Sequence, residues 1–203
     1  MTKRMTEQAF SDELEQWLDG DEHKTFGEMS DVFGERGFAV TIVLALSLPA
    51  LPIPTGGITH VFEAVAVLLA VEMILGRRTM WLPRRVRERE LGPTLANRAL
   101  PFIVKRVRWL ERYSRRRGAA FFRQRWFLRV LGLVVVAFAI GSAVAPPFSG
   151  LDTLPALGAV VVALSILLED VVVLVVGLLI GTGGIALIIT IGAALAHFLR
   201  GLF

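Results

Sequence analysis

The side chains able to do chemistry in this chain are a handful of carboxylates and hydroxyls set inside apolar sequence, and two Pro/Gly-rich breaks organise them. The first break runs from Leu48 through Pro49, Pro52 and Pro54 to Thr55, Gly56 and Gly57, and is followed by Thr59, Glu63 and Glu72. The second holds Pro146, Pro147, Ser149, Gly150, Asp152, Thr153 and Pro155, and the apolar run after it ends at Glu169. The interval from proline to carboxylate is 23 residues in both cases, Pro49 to Glu72 and Pro146 to Glu169, which makes a weak internal repeat. Helix breakers inside apolar segments at matching places in two halves point to a substrate site near the middle of a membrane. Half-helices starting at such breaks present unpaired N–H groups and partial positive charge, suited to phosphate or another anion. Together these hydroxyls, glycines and carboxylates are the candidate substrate-binding set, with Thr55–Thr59 and Ser149–Thr153 converging on one polar site. Glu63 lies deepest in its apolar segment, where an ionisable group is costly and faces a bundle interior or aqueous cavity. Glu72 is one turn from Gly76-Arg77-Arg78 and reads equally as an interfacial carboxylate paired with arginine.

Other chemistries lack their residues. There is no cysteine and there are three scattered histidines, His23, His60 and His197. Thiol chemistry, disulfides and a multi-histidine metal site therefore drop out. No Ser/His/Asp spacing, phosphate loop or ligand cluster is present, so no catalytic residue, cofactor or metal is expected, and the chain is not read as an enzyme.

The elements that must position the candidate site are hydrophobic helices. At 203 residues, 54% hydrophobic, 20% charged and with a mean hydropathy of +0.62, the chain is too apolar for an ordinary soluble domain. The sequence divides into an acidic helical extension (1–35), a first membrane repeat (36–76), a basic cytoplasmic linker (77–125) and a second membrane repeat (126–203). The extension holds ten acidic and three basic residues and no apolar run, hence no cleavable signal peptide. Phe10, Leu14, Trp17 and Leu18 space one face of a short helix, with Ser11 as its expected cap. Thr25 and Glu28 carry the capping-box spacing of a second. The extension reads as a helical lid or docking arm, or as a partner for the basic linker of opposite charge.

Sixteen of the 22 lysines and arginines fall between Arg77 and Arg125, the pattern of a cytoplasmic loop beside membrane segments and not that of a nucleic-acid binder. Within it Ala96, Leu100, Ile103, Val107 and Leu110 form a helical stripe. This predicts a basic amphipathic helix in the membrane surface, attracted to anionic headgroups. Homodimer packing would use the same stripe.

The run from Gly37 to Leu48 is too short to span a membrane, which takes about twenty residues, and suits a re-entrant half-helix. Ile58–Leu75 is a longer second limb, Trp126–Ala145 a spanning segment, and Leu154–Leu168 short again. Val171–Leu199, interrupted by Gly181-Thr182-Gly183-Gly184, reads as one tilted helix or as two half-helices. If the first broken pair is a hairpin, the N-terminus shares a side with Arg77.

The strings Glu35-Arg36-Gly37-Phe38, Leu48-Pro49-Ala50-Leu51-Pro52-Ile53-Pro54, Gly76-Arg77-Arg78-Thr79-Met80-Trp81-Leu82-Pro83 and Leu154-Pro155-Ala156, leading to Leu168-Glu169-Asp170, resemble the ExoD family of bacterial exopolysaccharide-synthesis proteins from about Phe26 onward. Met80 stands where the resemblance leads one to expect proline. The resemblance implies a multi-spanning bacterial inner-membrane protein connected with exopolysaccharide production and tolerance of alkaline conditions, and brings no catalytic residue. The combined expectation is an all-α integral membrane protein of two pseudo-repeats with re-entrant or Pro/Gly-broken helices. Two functions fit: a transport-type protein moving an anionic or lipid-linked substrate or a proton-coupled ion, and a non-transporting scaffold for polysaccharide-synthesis proteins.

Overall fold

The computed structural model describes residues 9–20, 24–51, 58–77, 79–81, 84–114, 117–145 and 150–200. Among these residues the regular elements are helical, apart from one isolated antiparallel bridge between Thr25 and Glu90. The first helix, α1 (Phe10–Asp19), forms where the apolar spacing predicts it and buries Phe10 and Leu14. Phe10 and Trp17 meet Phe33 edge-on at 5.6 and 5.5 Å. Ser11 does not cap this helix. Ala9 holds the cap position, and the Ser11 hydroxyl donates instead to Glu111 at 2.5 Å, a charge-assisted bond worth more than a local cap. In α2 (Phe26–Phe33) the expected cap is present, with Thr25 Oγ1 accepting from the Glu28 N–H at 3.1 Å.

Five longer helices make the body. Two of them, α3 (Glu35–Ser47) beyond its charged first turn and α9 (Thr153–Leu168), are apolar nearly all round, and a helix with so little polar face is stable only inside other protein or lipid. Here they lie inside protein: Phe38, Val40, Ile42 and Leu46 of α3 and Ala156, Ala159, Val162 and Leu167 of α9 are buried, with α3 packed on α9. Around them stand α4 (Ile58–Ile74), α8 (Arg125–Val144) and α10 (Val171–Arg200). Each outer helix has two faces. On α4, Glu63, Ala66, Ala70 and Met73 point in, while Val61, Val65, Leu68 and Leu75 are exposed. On α8, Leu128, Leu131, Val135 and Phe138 point in, while Val130, Leu133, Ile140 and Val144 are exposed. Apolar stripes of this extent are foreign to the surface of a soluble monomer. Two of the described helices, α8 and α10, are long and apolar enough to cross a membrane.

Contacts at both ends define the topology. At one end, the start of α3 meets the end of α9 through Arg36 and Glu169 at 2.8 Å, and the end of α4 meets the start of α8 where Gly76 lies under Arg129. At the other end, Glu63 of α4 meets Ser142 of α8, and Gly184 of α10 abuts Leu154 and Pro155 of α9. The pairs α3–α4 and α8–α9 are therefore hairpins, and both Pro/Gly breaks fall at the same end of the bundle, opposite the basic residues. We call these the break end and the collar end. The 23-residue interval relates α4 to α9, whereas burial relates α3 to α9.

The turn from α9 to α10 takes only Glu169 and Asp170. Glu169 adopts a left-handed conformation, φ 51°, and Asp170 caps α10 by accepting from the Val172 N–H at 2.9 Å. The two helices then run side by side at glycine contact distance: a Cβ on Gly158 would lie 2.4 Å from the Cα of Gly181. Of the two readings of the glycine-rich stretch, the continuous helix is the one found. Its glycines admit a neighbouring backbone and do not break α10.

Between the halves, α4 ends in a Schellman motif, with Arg77 N–H to Glu72 O at 3.2 Å and Gly76 N–H to Met73 O at 2.9 Å. The Met80 N–H then donates to Ser30 Oγ at 2.8 Å, a bond that a proline in this position could not make. After the short α5 (Arg84–Arg87), a π-helical turn (Leu95–Ala99) leads into α6 (Leu100–Glu111), and α7 (Ala119–Phe122) precedes α8. The α6 stripe is present but faces inward. Leu100, Ile103 and Val107 are buried against α1 and the end of α9, so it serves the protein core and not a lipid surface. The apolar side of α1 had to find a partner, and the nearest stripe of matching length took it.

Candidate functional site

The break end holds the most buried ionisable side chain among the described residues. Glu63 is 2% exposed, because the α4 face that carries it packs on α8. Its Oε1 accepts from the Ser142 hydroxyl at 2.5 Å, and its Oε2 lies 2.8 Å from Nδ1 of His60, one helical turn earlier on α4. His60 is 51% exposed. The contact serves two proton positions: an imidazole N–H donating to a carboxylate, or a carboxylic acid donating to a neutral imidazole. A buried acid is thus joined through one ring to the outside. Burying a carboxylate without partners would be prohibitive, and these two bonds make the position tolerable.

Of the other predicted site residues, Thr59 is buried one turn before Glu63. Asp152 and Thr153 sit where α9 begins, with Thr153 Oγ1 buried and unpartnered among the described residues. Gly150 has φ +68° and open space around it. These residues share the break end with Glu63. Thr55, Gly56, Gly57 and Ser149 lie outside the described residues.

The remaining two carboxylates belong to the collar end. Glu72 lies nine residues along α4 from Glu63, roughly 13 Å at the rise of an α-helix, and accepts the Trp81 N–H at 2.6 Å. Glu169 closes α9, roughly 24 Å from Thr153 by the same rise. It accepts from Arg36, whose other nitrogen binds Glu13 of α1 at 3.2 Å. Arg36 thus ties the arm, α3 and α9 together. The arm is also held by Arg108 of α6, which pairs with Asp12 and Glu15, and by Arg87, 2.5 Å from Asp31. The Arg108 hydrogen bond holds the Glu15 carboxyl below its ordinary range, outweighing the opposing effect of desolvation.

Ser142 escaped the sequence reading. Its partner is 79 residues away, and a lone serine between Gly141 and Ala143 carries no spacing signal. The available clue was a hydroxyl in an apolar helix one turn before a Pro/Gly break.

An all-helical bundle with two apolar core helices, an apolar outer belt, a buried acid at one end and a basic collar at the other defines a helical protein with a membrane-type exterior. The profile described as "Exopolysaccharide synthesis, ExoD" matches residues 10–190, and the chain belongs to the ExoD family. It is 31% identical over 153 residues to Protein ExoD of Rhizobium meliloti (strain 1021), covering 72% of this chain and 61% of that protein. It is 27% identical over 150 residues to an uncharacterized protein of Synechocystis, covering 73% of this chain and 66% of that protein. The match thus spans somewhat under two thirds of either relative. No solved structure matches the chain.

Proposed function

We propose that this chain is a multi-pass protein of the bacterial inner membrane that serves exopolysaccharide production by transport, with Glu63 exchanging a proton during the cycle. The observation that carries this reading is the Glu63 carboxylate, buried between two helical hairpins and linked to the exterior by the half-exposed His60. Intramembrane carboxylates with such partners are the usual elements of proton relays. Thr59, Asp152 and Thr153 share that end of the bundle and are its first candidates for contact with a substrate. The substrate class follows from the family link and from the helix N-terminus of α9: an anion, as in a lipid-linked saccharide phosphate. The basic collar lies on the cytoplasmic side, as the positive-inside rule requires, so the N-terminal arm is cytoplasmic too.

A scaffold reading would use the acidic arm and the α6 stripe as docking surfaces for polysaccharide-synthesis proteins. The arm and α6 are occupied with each other, which weighs against it. The test of the transport reading is flux in vesicles holding the purified protein, driven by an imposed pH gradient. Glu63→Gln keeps an acceptor for Ser142 but cannot exchange the proton, so pH-dependent flux is expected to vanish while the fold survives. Unchanged flux in that variant would refute the role of Glu63.

A further inference from the structure

At the collar end, three arginines gather where α4 stops and α8 starts. Arg77 and Arg125 line one small cleft between α3, α4 and α8, together with Glu35 and the apolar side chains Phe38, Met73 and Leu128. Arg129, one turn into α8, lays its guanidinium against the backbone of Gly76, so close that a Cβ there would meet Nη2 at 2.7 Å. Gly76 allows this twice over, having no side chain and a φ of +74°. Among the described residues none of the three arginines is in an ion pair, and Glu35 is the one acid lining their cleft. Arg77 and Arg125 around a single acid leave the cleft with a net positive charge, Arg129 adds a third charge at its Gly76 edge, and an anion would offset the repulsion among them. The dipole of α8 adds to that repulsion, since its first turn carries Arg125 and no acid.

The surroundings say which anion. Directly below the arginines, toward the break end, the outer faces of α4 and α8 present Val71, Leu75, Val130 and Leu133 to the exterior. Trp81, just after α4, and Trp126, in the first turn of α8, are both exposed at the collar end, where tryptophan marks a membrane–water boundary. A negatively charged group at the arginines with apolar surface running away from it is the outline of a phospholipid. We infer that Arg77, Arg125 and Arg129 form a binding site for the phosphate of an anionic phospholipid, whose chains lie along the α4–α8 seam. Basic pockets between helices on the cytoplasmic side hold such headgroups in other membrane proteins. The site rests on the membrane placement proposed above, and is separate from Glu63, which lies at the opposite end.

The test is native mass spectrometry of the full chain released from bilayers of phosphatidylcholine doped with phosphatidylglycerol. The wild type is expected to retain phosphatidylglycerol in preference to phosphatidylcholine. Arg125→Gln/Arg129→Gln should weaken that retention roughly fivefold for each arginine neutralised, whereas Arg106→Gln, on the exposed side of α6, should leave it unchanged. Thermal stability of the wild type across the same lipid mixtures needs no variant, and should rise with the phosphatidylglycerol fraction. Equal retention of the two lipids by the wild type, or equal loss in the Arg106 control, would overturn the site. Protection by millimolar inorganic phosphate matching that of the lipid would overturn the lipid assignment. Vesicle flux that stays intact while lipid retention is absent would sink this site and leave the transport reading standing.

Discussion

Glu169, one of the candidate site residues, holds a corner of the fold. Its left-handed backbone is a conformation that costs a residue with a Cβ about 1 kcal/mol relative to glycine. The bond to Arg36 stabilises what the backbone strains. Glu169→Ala removes the charge-assisted bond and keeps the strain, and is expected to destabilise the fold by about 2 kcal/mol. Glu169→Gly removes both and should recover roughly 1 kcal/mol of that loss. Thermal unfolding in detergent orders the three proteins, and a glycine variant less stable than the alanine variant would contradict the corner role. Glu63 is the opposite case, a buried carboxylate with one partner, His60, a turn away on its own helix and the other, Ser142, on a different hairpin. The sequence made Glu63 legible as a buried acid because apolar residues surround it on both sides. It could not supply Ser142, since contacts between distant segments leave no local pattern.

At the scale of elements, composition told the membrane-type helices from the polar ones but not their inner from their outer faces. The runs that became α3, α4, α8, α9 and α10 are apolar nearly throughout, and hydropathy is equally satisfied by lipid and by protein. Only packing separates Ala66 and Ala70, buried, from Leu68, exposed. The α6 stripe was legible in its spacing, and its partner was not, because the same stripe fits lipid, a second copy or α1. The glycines of α10 were legible as special and open in meaning. Gly158 against Gly181 decides that meaning: Gly158→Leu is expected to force α9 and α10 apart and cost about 1–3 kcal/mol, as read by chemical denaturation. An unaffected protein would mean that the seam is looser than the 2.4 Å approach indicates.

For the whole molecule, the arm and the basic segment, opposite in charge, are bound to each other as one of the sequence readings held. Arg108 depresses the pKa of Glu15, and Glu15 raises that of Arg108. A depressed carboxyl stabilises docking above its ordinary range and loses that contribution as pH falls through its folded value. The raised guanidinium keeps its contribution until pH climbs beyond the ordinary arginine value. The arm should therefore stay docked from neutral into alkaline solution and loosen in acid or in high salt, where exposed pairs are screened. In a variant whose only tryptophan is Trp17, acrylamide quenching should rise below about pH 4 and in molar salt. No change under either condition would mean that the apolar contacts of Phe10, Leu14 and Trp17 hold the arm alone.

The unequal heights of the helices carry a last consequence. Between collar and breaks, α3 has 13 residues, α9 has 16 and α4 has 17, while α8, 20 residues long, sets Arg129 beside Gly76 at the collar and runs on 15 residues from it to Val144, so the hairpins reach roughly 20–26 Å beyond the collar. The hydrocarbon layer is about 30 Å thick. With the collar anchored at one surface, the breaks and Glu63 come to lie short of the other, while α10 continues past Pro155 for many more residues. On the proposed placement the outer leaflet must dip to meet the breaks, drawing water toward His60, and this mismatch sets a cost that grows with lipid chain length. The protein is then a gauge of bilayer thickness: flux in fourteen-carbon lipids should exceed that in eighteen-carbon lipids, with headgroup held constant.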